Sequence, residues 1–477
     1  MNPATDQGAS SGQTFDRVAQ EAMGTQRRRY VPIPLRLVAA LALLIGVGTV
    51  LLLLPGMTTQ PITFMDALFT ATSAAAVTGL AVVTTSTTFT RLGQWVILLL
   101  MQIGGLGFLV LVVLTLRLLG RRISLLDRLA VSSSLGLTSP GAIMRILIRT
   151  VAIMLVVEGV GTAILWVHWS MAGIVPSNEA PFYALFHAVA AFCNAGFDLF
   201  TGLPQYPGGL PADATTLITL GLLVVFGGLG IPVYMELLQR WPIRRSGRRL
   251  HRFSLHTRLA FWSALILILV GWVGLLVHEY RLGGVLSDLS FQDRVLRAWF
   301  QSVSARTAGF SGFTDFSNID DGSQLLLICL MFIGSAPASM GGGVTTGTFA
   351  VLTTAMWSLT RGYDTVRAGQ RTIAMTTVWR AVAVLIISLG VVVGATWLLL
   401  LDTKLSLGPT LFEAVSAFST TGLDLGVTGQ LGTPGRLIVI ALMFWGRLGA
   451  VTIMLVLLRT EPRKTLVKYP EEAVLVG

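Results

Sequence analysis

Charge is scarce in this 477-residue chain: Asp, Glu, Lys and Arg together make up 12% of it, about half the share of a soluble domain. A soluble multidomain enzyme is excluded on that ground, because the chain could not furnish the polar surface it needs. Cysteine is almost absent. Cys193 and Cys329 are the two, so neither a disulfide framework nor a CxxC site is available. Five scattered histidines without an HExxH motif leave no protein-built zinc site. No P-loop or dinucleotide fingerprint stands in a strand–turn–helix context, since the Gly-Gly-Leu-Gly runs at 104–107 and 227–230 lie inside apolar segments. No organic cofactor is expected on this chain.

Apolar residues are what it has. They make up 53% of the chain, with a mean hydropathy of +0.75. They come in runs such as 35–54 and 381–401, the length that spans a bilayer as a helix. Residues 1–30 are polar and end in Arg27-Arg28-Arg29. They read as a disordered cytoplasmic tail before a retained first helix, not as a cleaved signal. The net charge of +11 is unevenly spread. Alternate connections carry 26 of the 34 Lys and Arg residues, and the intervening ones carry 7. By the positive-inside rule the basic set faces the cytoplasm, so the chain crosses an even number of times with both termini inside. These clusters fit topology and anionic lipid, not nucleic acid.

A repeat organises the chain. Four segments, Phe69–Gly79 (FTATSAAAVTG), Phe186–Gly196 (FHAVAAFCNAG), Trp299–Gly309 (WFQSVSARTAG) and Phe412–Gly422 (FEAVSAFSTTG), each place an aromatic residue ten positions before a glycine. A large apolar residue follows each glycine: Leu80, Phe197, Phe310 and Leu423. The glycines are 117, 113 and 113 residues apart, and such a period is the signature of tandem units. In each unit a long apolar segment comes in from the basic side (about 33–54, 147–169, 257–278 and 377–401). A short half-helix and the glycine motif follow, and a second long segment returns (about 93–116, 215–238, 323–357 and 434–458). The expected fold is all-α and polytopic: four tandem helix–pore-helix–filter–helix repeats around a pseudo-fourfold pore, with eight spanning helices. The units are 1–30 (tail), 31–117, 118–240, 241–361, 362–460 and 461–477 (C-terminal tail).

A re-entrant half-helix ending at a glycine exposes backbone carbonyls, tolerated at membrane depth only where they line a cavity or are buried. Glycine admits the required dihedrals, and the half-helix presents its negative end there. Four such ends make a site for a dehydrated monovalent cation. The candidate filter is Val77, Thr78 and Gly79; Asn194, Ala195 and Gly196; Thr307, Ala308 and Gly309; and Thr420, Thr421 and Gly422, with the backbone carbonyls as ligands. No ring of carboxylates accompanies them. Asp198 and Asp424, two after their glycines, are candidates to attract cations to the mouth. Arg306 stands three before Gly309 and is expected to point away from the ion, paired with Asp315 or Glu413.

The returning segment of the third unit is interrupted by Gly334, Ser335, Ala336, Pro337, Ala338, Ser339, Met340, Gly341, Gly342, Gly343, Val344, Thr345, Thr346 and Gly347, a candidate gate just inside the filter. Arg447 lies within the last apolar segment, where a charge faces a cavity or a partner. It is read as a positive barrier in the cation path, with a buried pairing to Glu158 as the other reading. An organic-solute transporter would show inverted repeats, whereas all four motifs lie on one face. An intramembrane hydrolase using Ser335 or Ser339 lacks a histidine partner, since no histidine follows His278.

These features together resemble the Trk/Ktr/HKT superfamily of K⁺ transporters over about residues 31–477, most of all the membrane subunit of bacterial Ktr uptake systems. The resemblance implies K⁺ as substrate, Na⁺ as an activator, and a homodimer in the bacterial plasma membrane with the C-terminal tail at its interface. It also implies a cytoplasmic ring of RCK subunits that carries the regulatory nucleotide. The basic loops 117–128 and 240–258 are where such a partner is expected to dock. Gly79, where Na⁺-favouring members tend to have Ser, supports K⁺. Na⁺ or mixed K⁺/Na⁺ transport is the alternative. Many relatives have Lys after Gly-Gly-Gly-Ile, where this chain has Val344-Thr345.

Overall fold

A computed structural model describes residues 33–105, 143–206, 209–240, 253–281, 284–402 and 404–449. The expectations for the tails 1–30 and 461–477 and for most of the two basic loops fall outside the described residues. Within them the fold is helical, with one two-residue hairpin, β1 (Arg367–Ala368) and β2 (Arg371–Thr372).

The helices follow one plan. A long helix is succeeded by a short one and then by returning helix: α1 (Ile33–Leu52), α2 (Phe64–Ala75) and α3 (Arg91–Gly105); α4 (Ile143–Met171), α5 (Ala180–Phe192), α6 (Ala214–Gly228) and α7 (Ile231–Arg240). Then come α8 (Leu255–Arg281), α9 (Phe291–Ser304), α10 (Asp321–Phe332) and α11 (Thr346–Thr360); and finally α12 (Met375–Asp402), α13 (Leu407–Ser419) and α14 (Thr433–Leu448). Each long helix packs on the short helix that follows it. Each returning helix packs on the short helix of the next unit: α3 on α5, α6 on α9, α10 on α13, and α14 back on α2. The contacts therefore close into a ring.

The long helices show why this is a membrane fold. Leu43, Val50, Val156, Trp166, Trp262, Val273, Ile386 and Trp397 are exposed, while Thr72, Ser73, Gln301, Ser302, Ser416 and Ser419 on the short helices are fully buried. Apolar residues face outward and hydroxyls inward, the reverse of a soluble domain. Among the described residues α4, α8 and α12 are long and apolar enough to cross a bilayer, and α6 with α7 would make a fourth. The expected eight are not reached there. α3 runs up to undescribed residues, α14 ends at Leu448 before a non-helical Gly449, and α10 stops at Phe332.

One segment corrects the sequence reading. The returning segment 215–238 is not one helix: α6 and α7 meet at 92°. Gly230 takes a left-handed φ of +84° there, and Pro232 has no N–H to continue the ladder. The Ile231 N–H donates instead to the Ala338 carbonyl at 3.0 Å, so a contact more than a hundred residues away completes the bend.

Candidate functional site

The short helices are held by the residues the repeat singled out. Phe69, Phe186 and Phe412 are fully buried and Trp299 is half-buried; Leu80, Phe197, Phe310 and Leu423 are buried on the far side of each glycine. Helix starts are capped: Thr63 and Asp66 form a capping box on α2, and Ser290 accepts the Asp293 N–H on α9.

At the C-terminal ends the backbone repeats itself four times. Val77, Asn194, Thr307 and Thr420 have φ of +57°, +58°, +80° and +52°, and two residues on Gly79, Gly196, Gly309 and Gly422 have +96°, +65°, +77° and +95°. Positive φ is costly for four non-glycine residues, and its recurrence at one repeat position marks a conformation imposed by packing. Side chains secure it. The N–H groups of Gly79 and Gly422 donate to Ser73 Oγ and Ser416 Oγ, both at 3.0 Å. The Asn194 amide and Thr307 Oγ1 are hydrogen-bonded at 3.0 Å.

The four segments touch in chain order. A Cβ added at Gly79 would lie 2.5 Å from the Ala195 carbonyl oxygen and 3.0 Å from the Gly196 Cα. One at Gly196 would lie 2.6 Å from the Ala308 oxygen and 3.1 Å from the Gly309 Cα. Gly309 stands likewise against Thr421 and Gly422, and Gly422 against Thr78 and Gly79. Four glycines and the carbonyls of the four residues before them form a closed circuit.

Above this circuit opens a cavity of about 570 Å³ whose wall includes all four glycines together with Asp198, Asp315 and Asp424. Asp198 is more engaged than its position in the sequence suggests. Its carboxylate meets His187 Nε2 at 2.9 Å and accepts from the Phe200 and Thr201 N–H groups, both at 2.8 Å, and from Thr201 Oγ1 at 2.6 Å. Burial pushes this carboxyl up, but the bonds from His187, Thr201 and Phe200 outweigh it and hold it below the usual range. Asp424 accepts the Val427 N–H at 2.7 Å. Both aspartates order the loop after their glycine while keeping charge in the cavity wall.

Beneath the circuit lies the interrupted segment, spanning 333–345 between α10 and α11; Thr346 and Gly347 already belong to α11. It closes on itself through Gly334 N–H to Val344 O at 2.9 Å and through the hydroxyls of Ser335 and Ser339 at 2.5 Å. The Gly342 N–H donates to Thr420 Oγ1 at 2.9 Å. A Cβ on Gly341 would strike the Thr307 hydroxyl. The loop also rests on the α6–α7 bend, with the Ala336 N–H on Gly228 O at 3.2 Å and the Met340 N–H on Gly227 O at 3.4 Å.

Two arginines clamp it. Arg306 does not take the expected partner, and Arg447 does not make the Glu158 pairing that is its other reading. Arg306 is buried and donates to the carbonyls of Ala264 (3.2 Å) and Gly334 (3.1 Å), not to Asp315 or Glu413. Glu413 instead accepts from Thr428 Oγ1 at 2.7 Å. Arg447 donates to the Met340 and Gly104 carbonyls, not to Glu158, which accepts from Gln102 on α3 at 3.1 Å. Arg306 lies on the loop side of its segment, where carbonyl dipoles are within reach and carboxylates are not.

Sequence reasoning passed over three residues. A Cβ at Gly104, Gly227 or Gly446 would collide with the carbonyls of Ala75, Phe192 and Phe418 respectively, each four residues before its unit's glycine. They let the returning helices approach the ends of the short ones. The signal was present: Gly104-Gly-Leu-Gly, Gly227-Gly-Leu-Gly and Gly446-Arg-Leu-Gly occupy matching places in units one, two and four.

Comparison with known proteins agrees with this architecture. The chain is 38% identical to a Ktr system potassium uptake protein B of Vibrio alginolyticus over 433 residues, 90% of this chain and 92% of that protein. It is 35% identical to the protein of the same name from Bacillus subtilis, covering 94% and 97%. It is 32% identical to the potassium/sodium uptake protein NtpJ of Enterococcus hirae, covering 94% and 98%. The crystal structure of the potassium transporter TrkH from Vibrio parahaemolyticus superposes with a TM-score of 0.69 at 19% identity, over 90% of this chain and 85% of that one, and shares the fold. The model of the TrkH family, described as cation transport protein, matches residues 27–469, so the chain belongs to that family.

Proposed function

We propose that the chain is the K⁺-translocating membrane subunit of a bacterial Ktr-type uptake system, a transporter and not an enzyme. The observation that carries this reading is the closed circuit of four left-handed glycines and four carbonyls at the ends of half-helices. An ion entering from the cavity exchanges water for the carbonyls of residues 77–79, 194–196, 307–309 and 420–422. The negative ends of α2, α5, α9 and α13 lower the cost of losing hydration. Neutral side chains beside the glycines suit a monovalent ion. The names of the relatives, which state potassium uptake, support the same substrate.

In this reading the loop at 334–347 is the gate and Arg447 its lock. The guanidinium holds the Met340 carbonyl across the path while adding a positive charge to it, so positional and electrostatic barriers coincide. Opening requires that contact to break. The four units 31–117, 118–240, 241–361 and 362–460 each supply one quarter of the pore, with eight spans in all and both termini cytoplasmic. Two subunits pair through the tail 461–477, and a cytoplasmic RCK ring bearing the nucleotide sets the gate. Na⁺ acts as activator. The second reading is mixed K⁺/Na⁺ transport, which the potassium/sodium name of the Enterococcus relative favours.

The test is radioactive rubidium uptake into liposomes holding the purified chain, with and without an RCK partner and with K⁺, Na⁺ and Li⁺ as competitors. Block by K⁺ alone supports the first reading, and equal block by Na⁺ the second. No uptake with the partner present would overturn both.

A further inference from the structure

At the end of the molecule away from the ion-entry cavity, α8 and α11 leave a groove between them of about 450 Å³. Its walls are of two kinds. Leu259, Trp262, Thr354 and Trp357 form a strip in which both tryptophans are more than half exposed (56% and 59%). Arg258 and Arg367 line it as well. Arg258 is exposed, and its guanidinium has no acidic partner among the described residues. Among the described residues the Arg367 guanidinium donates from its Nε, toward Thr365 Oγ1 at 3.3 Å. Its guanidinium carbon sits 4.8 Å above the Tyr363 ring, which orients the fork without neutralising it. Arg361 lies in the same way over Trp357 at 4.7 Å. Among the described residues no carboxylate lines the groove.

We propose that this groove binds one anionic phospholipid, with its phosphate between Arg258 and Arg367 and an acyl chain along Leu259, Trp262 and Trp357. Tryptophans at a bilayer edge mark headgroup depth, and α8 leaves the strongly basic stretch 240–258. The groove therefore meets lipid where headgroups change to chains. A soluble anion would use the arginines and leave the aromatic strip uncovered. A zwitterionic lipid would bring its own cation up against two guanidiniums that have no acidic partner among the described residues. An anionic amphiphile satisfies both walls, and planar guanidiniums match phosphate oxygens in pairs. α11 starts at Thr346, directly after the loop, so an occupant here touches the helix on which the loop is mounted. Binding itself does not depend on the ion-pathway reading.

The experiment titrates the purified full chain with brominated phosphatidylglycerol against brominated phosphatidylcholine and follows quenching of tryptophan, with Trp357→Phe assigning the signal. Phosphatidylglycerol is expected to quench at the lower mole fraction. Arg258→Ala with Arg367→Ala is expected to reduce that preference about 30-fold, at roughly fivefold for each basic residue near an anionic surface. Arg258→Lys with Arg367→Lys should retain most of it. If the double alanine variant does not fold, each single variant should show its fivefold loss. Equal quenching by the two lipids, a preference untouched by the alanine variants, or absence of quenching because a second copy covers the groove would each overturn the proposal. So would displacement of phosphatidylglycerol by millimolar inorganic phosphate, which would assign the arginines to a free anion.

Discussion

Replacing Gly79 with Ser tests the glycine circuit at a place where the effect can be worked out. The new Cβ would stand 2.5 Å from the Ala195 oxygen, and ordinary contact begins at 3.4 Å, so that carbonyl must retreat by 0.9 Å. The Gly196 Cα, at 3.0 Å from the new Cβ, is crowded as well. Gly79 also holds φ +96°, which costs an L-residue about 1–2 kcal/mol even without a clash. A binding constellation tolerates about 0.5 Å of misplacement, so the damage falls on the Ala195 carbonyl, in the neighbouring unit. If the filter discriminates ions by the fit of its carbonyls, loss of about 1.4 kcal/mol from one of four contributors lowers discrimination about tenfold. The assay is rubidium uptake into liposomes with graded K⁺ and Na⁺. K⁺ is expected to lose at least tenfold of its advantage, while the variant keeps its helicity and a melting temperature within several degrees. A folded Gly79→Ser protein with unaltered discrimination would refute the reasoning, and the same result at Gly196, Gly309 and Gly422 would remove the filter assignment.

Arg306→Met cuts the tie between the 307–309 segment and Gly334; basal rubidium flux is expected to rise several-fold with K⁺ preference kept, and loss of preference without a rise in flux would show that Arg306 shapes the proposed filter instead. Arg447→Ala removes both the Met340 clamp and a fixed positive charge, so turnover should rise by tenfold or more; unchanged turnover in a folded protein argues against a barrier there. Asp198→Asn leaves the shape but weakens bonds to a charged acceptor, at about 1.5–3 kcal/mol. Because the native carboxyl sits below its ordinary value of 3.8, its stabilisation is present above that pH and disappears as pH falls through the folded value. The variant should therefore melt lower than the native protein at pH 7, with the gap narrowing once pH falls below 3.8, and a gap that does not narrow on acidification would refute the assignment.

Much of this protein is written locally. The long apolar runs place the long helices to within a few residues: 147–169 is expected where α4 runs Ile143–Met171, and 377–401 where α12 runs Met375–Asp402. The spacing of aromatic and glycine places all four short helices and the left-handed residues after them, because burial of an aromatic residue and a positive φ are demands that one residue makes on its own neighbourhood. Gly341–Gly343 and Pro337 likewise break a helix wherever they stand.

What the sequence by itself determined, then, is the helical membrane character, the order of elements and the four glycine positions. Tertiary structure alone decided the partners. Gly422 meets Thr78, more than three hundred residues earlier, and Arg447 finds Gly104 and Met340 instead of Glu158. Arg306 finds Gly334, and Gly230 bends by 92° because the Ala338 carbonyl is there to take the Ile231 N–H. The physical reason is that backbone carbonyls are anonymous in a sequence. Every residue carries one, and only the packing of distant helices decides which of them comes within reach of a buried guanidinium or a glycine that has no side chain.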